Sequence, residues 1–157
     1  MHRSSSVALV CLLLSTPLLA VDGDKAQYVG GTIQSLKEKT DGRFITSDDK
    51  ALSFAPSKGA AVQIPYEAIT ELEYGQKAGR RVAVGVLISP LALFSKKRNH
   101  YLTITYKDDA GKEQAGVFEL GKDIVRTTLK ILETRSHREI QYQDDEARKS
   151  IGGGKGK

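Results

Sequence analysis

Cysteine, tryptophan, histidine and proline are all scarce in this chain. Of 157 residues one is cysteine (Cys11), three are histidine, four are proline and none is tryptophan. A single cysteine excludes an intrachain disulfide and a multi-thiolate metal site. Four prolines and no Gly-X-Y period exclude collagen, and no self-similar period marks a repeat array. A hydrophobic fraction of 39% against 27% charged residues fits one folded domain and is too apolar for a wholly disordered chain. The balance is mildly basic, with 24 Lys and Arg against 19 Asp and Glu.

The first twenty residues, MHRSSSVALVCLLLSTPLLA, run from basic (Arg3) through apolar (Val7 to Leu14) to small (Ala20). That order predicts a secretory signal peptide over 1–20, and hence export to the periplasm or the medium. The apolar run is shorter than the ~20 residues that span a bilayer. Cys11 lies inside this run, so cleavage would leave a chain without any thiol and exclude thiol chemistry from the exported form.

From Lys25 to Leu120 short β-prone runs alternate with turn signals. Strands are expected over Ala26 to Leu36, Arg43 to Thr46, Ala51 to Phe54, Ala61 to Ile64 and Ile69 to Tyr74. Asp41-Gly42 reads as a hairpin dipeptide, since both residues tolerate positive φ. Pro65 ends the fourth run because it cannot donate to a ladder. His100 to Lys107 alternates, with Leu102, Ile104 and Tyr106 on one face and Tyr101, Thr103 and Thr105 on the other. Asp108 to Gly111 turns the chain, and Gln114 to Leu120 returns.

After Gly121 the period changes. At 100° per residue, Ile124, Val125, Thr128, Leu129, Ile131 and Leu132 fall within an arc of about 160°. This predicts a one-sided helix of roughly four turns, with Asp123 as its N-cap and its stripe covering the open end of a sheet. The tail 144–157 is charged and then Gly-rich, and its composition predicts disorder.

Seven short strands followed by one amphipathic helix is an element order that resembles pleckstrin-homology-like barrels, including the GRAM and bacterial PH-like relatives. The resemblance rests on IPYEAITELEYG and on HYLTITYKDDAGKEQAGVFELGKDIVRTTLKILETR, and extends over a domain at 25–139. The chain is also similar to exported bacterial proteins of this design. The resemblance implies a mainly β fold: a strongly bent sheet or partly open barrel, capped by the C-terminal helix. It also implies binding of phosphoinositides, other membrane lipids or peptides, without catalysis. Phosphoinositide-binding members use a basic first hairpin. Here Lys37, Lys39 and Arg43 flank Asp41-Gly42 and form a candidate anion-binding hairpin, diluted by Glu38 and Asp41.

Residues 79–99, GRRVAVGVLISPLALFSKKRN, depart from a plain barrel. An apolar run from Val82 to Phe94 lies between Arg80-Arg81 and Lys96-Lys97-Arg98. As a helix it would cover about 20 Å, short of the ~30 Å hydrocarbon core. Three readings follow. Val82, Val84, Val86 and Ile88 could pack against the barrel as a strand or short helix, with Pro90 at a bend. The run could instead enter a membrane interface while its cations meet anionic headgroups, or it could form a protein–protein patch, including a homodimer contact. The candidate contact residues for a membrane surface or protein partner are Arg80, Arg81, Val86, Leu87, Ile88, Leu91, Leu93, Phe94, Lys96, Lys97 and Arg98.

Catalytic and metal signatures do not emerge. His100 and His137 have no second ligand at metal spacing. Glu67, Glu71 and Glu73 lack an acid–base partner in a distinct environment and read as surface charge. Gly116 to Lys122 matches GxxxxGK, but Asp123 replaces the Ser or Thr of a P-loop, and the intervening residues read as a strand. Scattered basic residues and predicted export argue against nucleic acid. The expectation is therefore a non-catalytic exported binding module acting at the cell envelope, without cofactor or metal. The alternative is a structural or interaction module with the 79–99 segment buried.

Overall fold

The computed structural model describes residues 24–76 and 99–152. The expected leader over 1–20 and the contact residues from Arg80 to Arg98 lie outside these residues, as does the end of the tail.

Among the described residues eight strands form one sheet: β1 (Asp24–Gly31), β2 (Thr40–Ile45), β3 (Ala51–Pro56), β4 (Val62–Pro65), β5 (Ile69–Gly75), β6 (His100–Lys107), β7 (Glu113–Leu120) and β8 (Ile140–Tyr142). Their spatial order is β4-β3-β2-β1-β7-β6-β5-β8. Strand β1 therefore joins the β1–β4 meander to the β5–β7 meander, pairing with β2 on one side and β7 on the other. A register shift between Tyr28 and Gly30 sharpens the bend at this junction. All pairings are antiparallel except β5 with β8.

The sheet curls around one apolar cluster. Phe118 lies at its centre, with the rings of Tyr28, Phe44 and Phe54 at centroid distances of 5.5, 5.2 and 5.3 Å. Leu52, Ile64, Leu72, Leu102 and Ile104 complete it, each fully or nearly fully buried. Phe118 is thus enclosed by apolar side chains of the surrounding strands. Strand β6 is covered on both faces: Leu102, Ile104 and Tyr106 enter the cluster, while Tyr101, Thr103 and Thr105 are also buried.

Helix α1 (Val125–Ser136) closes one end of the barrel. Val125, Leu129 and Leu132 are buried in the core cluster, as the one-sided stripe requires. Its C-terminal turn is clamped to the β2–β3 connection. Arg135 Nη1 donates to the carbonyls of Thr46 (2.5 Å) and Asp48 (2.8 Å) and to Tyr66 Oη (3.2 Å), while Nη2 reaches Asp49 Oδ1 at 2.6 Å. The hydrogen bond to Tyr66 raises the guanidinium pKa most, and the charges of Asp49 and Asp48 add to it.

Three local expectations need correction. Asp41-Gly42 is not a turn; both residues lie inside β2. Glycine is required at position 42 because a Cβ there would stand 2.5 Å from the Ala55 carbonyl oxygen and 2.6 Å from the Phe54 ring. The β1–β2 connection instead spans 32–39. Asp123 does not cap α1; Ile124 does, and no side chain bonds the first turn. Thr128 N–H donates to the Ile124 carbonyl at 2.8 Å, which fixes the cap one residue past the aspartate. Finally, the tail is ordered well beyond 144. Helix α2 (Asp145–Ser150) forms there, with Asp144 Oδ1 accepting from Ala147 N–H at 2.7 Å. Acids in its first turn and Arg148-Lys149 in its last complement the helix dipole, and Ala147 is fully buried.

Candidate functional site

Ladder register fixes where the two candidate contact regions emerge. Gly75 at the end of β5 pairs with Tyr101 near the start of β6, and His100 pairs with Leu120 at the end of β7. Residues 77–98 are therefore rooted at the end of the barrel where β7 gives way to α1. The 32–39 connection sits at the other end of β1, beyond Gly31. An eight-residue strand rises about 26 Å, so Lys37 and Lys39 are separated from the β5–β6 roots by roughly the length of the barrel.

The hairpin trio is itself divided. Lys37 and Lys39 are exposed in the connection, where Lys39 adopts φ 60° and Thr40 Oγ1 donates to the Lys37 carbonyl at 2.6 Å. Arg43 stands in β2, opposite Lys25 on β1 and Ala55 on β3. Three strand residues past Thr40 place it about 10 Å further along the barrel. The structure thus separates Lys37 and Lys39 from Arg43.

At the β5–β6 roots lies a polar group that sequence reasoning missed. Tyr74 Oη is 2.6 Å from His100 Nδ1 and 3.0 Å from Ser150 Oγ. The Tyr74 and His100 rings are stacked, with centroids 6.1 Å apart and planes 16° from parallel. Tyr74 is fully buried and burial raises its phenol pKa. Burial lowers that of His100, assisted by Lys122 and opposed by Glu119. Beside them the Gln143 side chain lies against Gly75, where any Cβ would collide with it, and Gln143 N–H donates to the Tyr74 carbonyl at 3.0 Å. These partners come from three separate stretches of chain, one of them in the tail whose composition predicts disorder. No local spacing could have revealed them.

Among the described residues, little other convergent surface chemistry is found. A shallow groove is lined by Lys25, Gln27, Asp41, Glu119 and Gly121, with Gln27 Nε2 donating to Asp41 Oδ1 at 2.8 Å. Its charges are of both signs. Among the described residues no three His, Cys, Asp or Glu side chains converge as metal ligands. No described helix is long and apolar enough to cross a membrane.

The curled sheet with its closing C-terminal helix is the mainly β architecture that the pleckstrin-homology resemblance implies. No protein-family model matches the chain. No curated protein matches it either. Among solved structures, one titled "Structure of the Spt16D Pob3N heterodimer" is similar at 12% identity, with a TM-score of 0.42. The likeness covers 86% of this chain and 62% of that one. So distant a likeness leaves the fold to stand on its own strand order.

Proposed function

We propose that this chain is an exported, non-catalytic binding module of the bacterial PH-like or GRAM-like kind, which meets an anionic membrane surface at the cell envelope through residues 79–99. The observation that carries the reading is the Gly75–Tyr101 pairing. Antiparallel strands so paired need only a short turn between them. Here 25 residues, 76–100, separate the pair, and they include an apolar run between Arg80-Arg81 and Lys96-Lys97-Arg98. A basic residue near an anionic surface contributes ~1 kcal/mol, and a fully buried large apolar side chain ~1.5–3 kcal/mol. A few of each hold a small domain on a bilayer.

Vesicle flotation tests it. The protein is expected to float with phosphatidylglycerol-containing vesicles at low salt, to stay down with phosphatidylcholine alone, and to lose flotation on Leu87→Asp. Absence from anionic vesicles at low salt overturns the membrane reading. A dimer in light scattering that Leu87→Asp dissociates would then place the segment at a protein interface.

A further inference from the structure

Beyond α1 the chain folds back along the barrel and brings Ser150 to the β5–β6 roots. Its grip is slight compared with that of the wall. Strand β8 offers three residues, Ile140, Gln141 and Tyr142, to Leu72, Glu73 and Tyr74. Ile140 and Ala147 are buried, and Tyr142 and Ile151 pack partly against the core. The segment begins at a natural joint. His137, the C-cap of α1, adopts φ 56°, and Arg138 and Glu139 after it are exposed.

The far end of the segment is fastened by hydroxyl chemistry. Ser150 Oγ donates to the Ala147 carbonyl at 2.7 Å, which leaves it to accept from Tyr74 O–H. Tyr74 Oη in turn accepts from His100 Nδ1–H. Every hydroxyl proton in this chain of bonds is used once, and the imidazole needs only one proton to complete it.

We propose that residues 140–152 form a strap that opens as one unit, with the His100–Tyr74–Ser150 contact as its proton-sensitive catch. A second proton on His100 breaks no bond in the chain, but it places a cation in a half-buried site. Lys122 ahead of α1 opposes that charge. Glu119 on β7 favours it, and the phenols of Tyr74 and Tyr142 are neutral. Arg148 is turned over the Tyr142 ring, its guanidinium carbon 5.1 Å from the centroid. Opening the strap lets water solvate the imidazolium.

The sign follows from linkage. In the closed strap the His100 pKa lies below its ordinary value, and in the open strap it returns towards about 6.5. Closure is therefore strongest above about pH 6.5 and weakens as pH falls through the closed-state value. One proton allows at most a tenfold rise in the opening constant per pH unit.

Hydrogen exchange on the full-length protein between pH 5 and 8, corrected for intrinsic exchange rates, tests the strap and its catch together. Amides of Gln143 and Ala147 are expected to open more readily than those of Leu102 and Phe118, and increasingly so below about pH 6.5. His100→Gln should flatten that pH profile, whereas His137→Asn, which tolerates the αL joint, should leave it unchanged. Ser150→Ala should raise strap opening about fivefold at every pH. Strap amides that exchange only with global unfolding overturn the proposal, as does an opening constant indifferent to pH. Should His100→Gln fail to fold, the wild-type profiles decide alone.

Discussion

The two α-helices among the described residues are held by opposite means. Helix α1 has no side-chain cap, yet Val125, Leu129 and Leu132 are buried in the core and Arg135 ties its last turn to the β2–β3 connection. Helix α2 has an Asp144 cap and well-placed charges at both ends, but buries one small side chain, Ala147. Tertiary packing holds the first; local hydrogen bonding and a few edge contacts hold the second. An isolated six-residue helix is far below the length that survives alone in water, so α2 depends on its seat against β8 and Tyr74.

That contrast can be broken or sharpened by experiment. The largest effect should come from Leu132→Ala, which empties a fully buried site in α1. A loss of about 2–5 kcal/mol is expected in urea unfolding. Ala147→Asp should cost less than half as much globally while releasing the strap in hydrogen exchange. Equal global losses would show the strap and wall to be one cooperative unit.

Alkali probes the wall next. The Tyr28 hydroxyl is buried without a well-aligned partner, although the Ile33 main chain partly offsets the effect of burial. Its pKa is pushed up to about 12. An unfolded chain ionises this phenol near pH 10, so folding stability is fully present below pH 10 and falls as pH rises towards 12. The limit is about 2.7 kcal/mol for a two-unit difference. Tyr28→Phe should remove that share of the alkaline loss, and it should leave neutral-pH stability equal or slightly higher, since an unpartnered buried hydroxyl is lost. A steep neutral-pH loss would reveal a partner for the hydroxyl.

The smallest expected effect is that of Asp144→Ala. It removes the α2 cap and should cost about 1 kcal/mol of strap closure in hydrogen exchange, with little change in the urea midpoint.

How much could be read in advance follows the same division. The alternation in His100 to Lys107 and the stripe from Val125 to Leu132 are long periodic signals, and both name the elements that form. Asp41-Gly42 misled because glycine serves two purposes that look alike in sequence. A hairpin needs its positive φ, whereas here β2 needs a missing Cβ beneath Phe54. Helix α2 was illegible because a single buried alanine makes no period. The Tyr74–His100–Ser150 group was illegible because its members meet only after the sheet has curled and the tail has returned. The candidate contact residues from Arg80 to Arg98 are legible as chemistry, and the described ladder adds where they are rooted.

The absence of tryptophan makes the central claim directly measurable. A Leu87→Trp variant carries a single indole in the proposed contact segment. Adding phosphatidylglycerol-containing vesicles at low salt should shift its emission to the blue and protect it from an aqueous quencher, with both effects reversed by high salt. An emission spectrum and quenching unchanged by such vesicles would contradict the membrane-contact account.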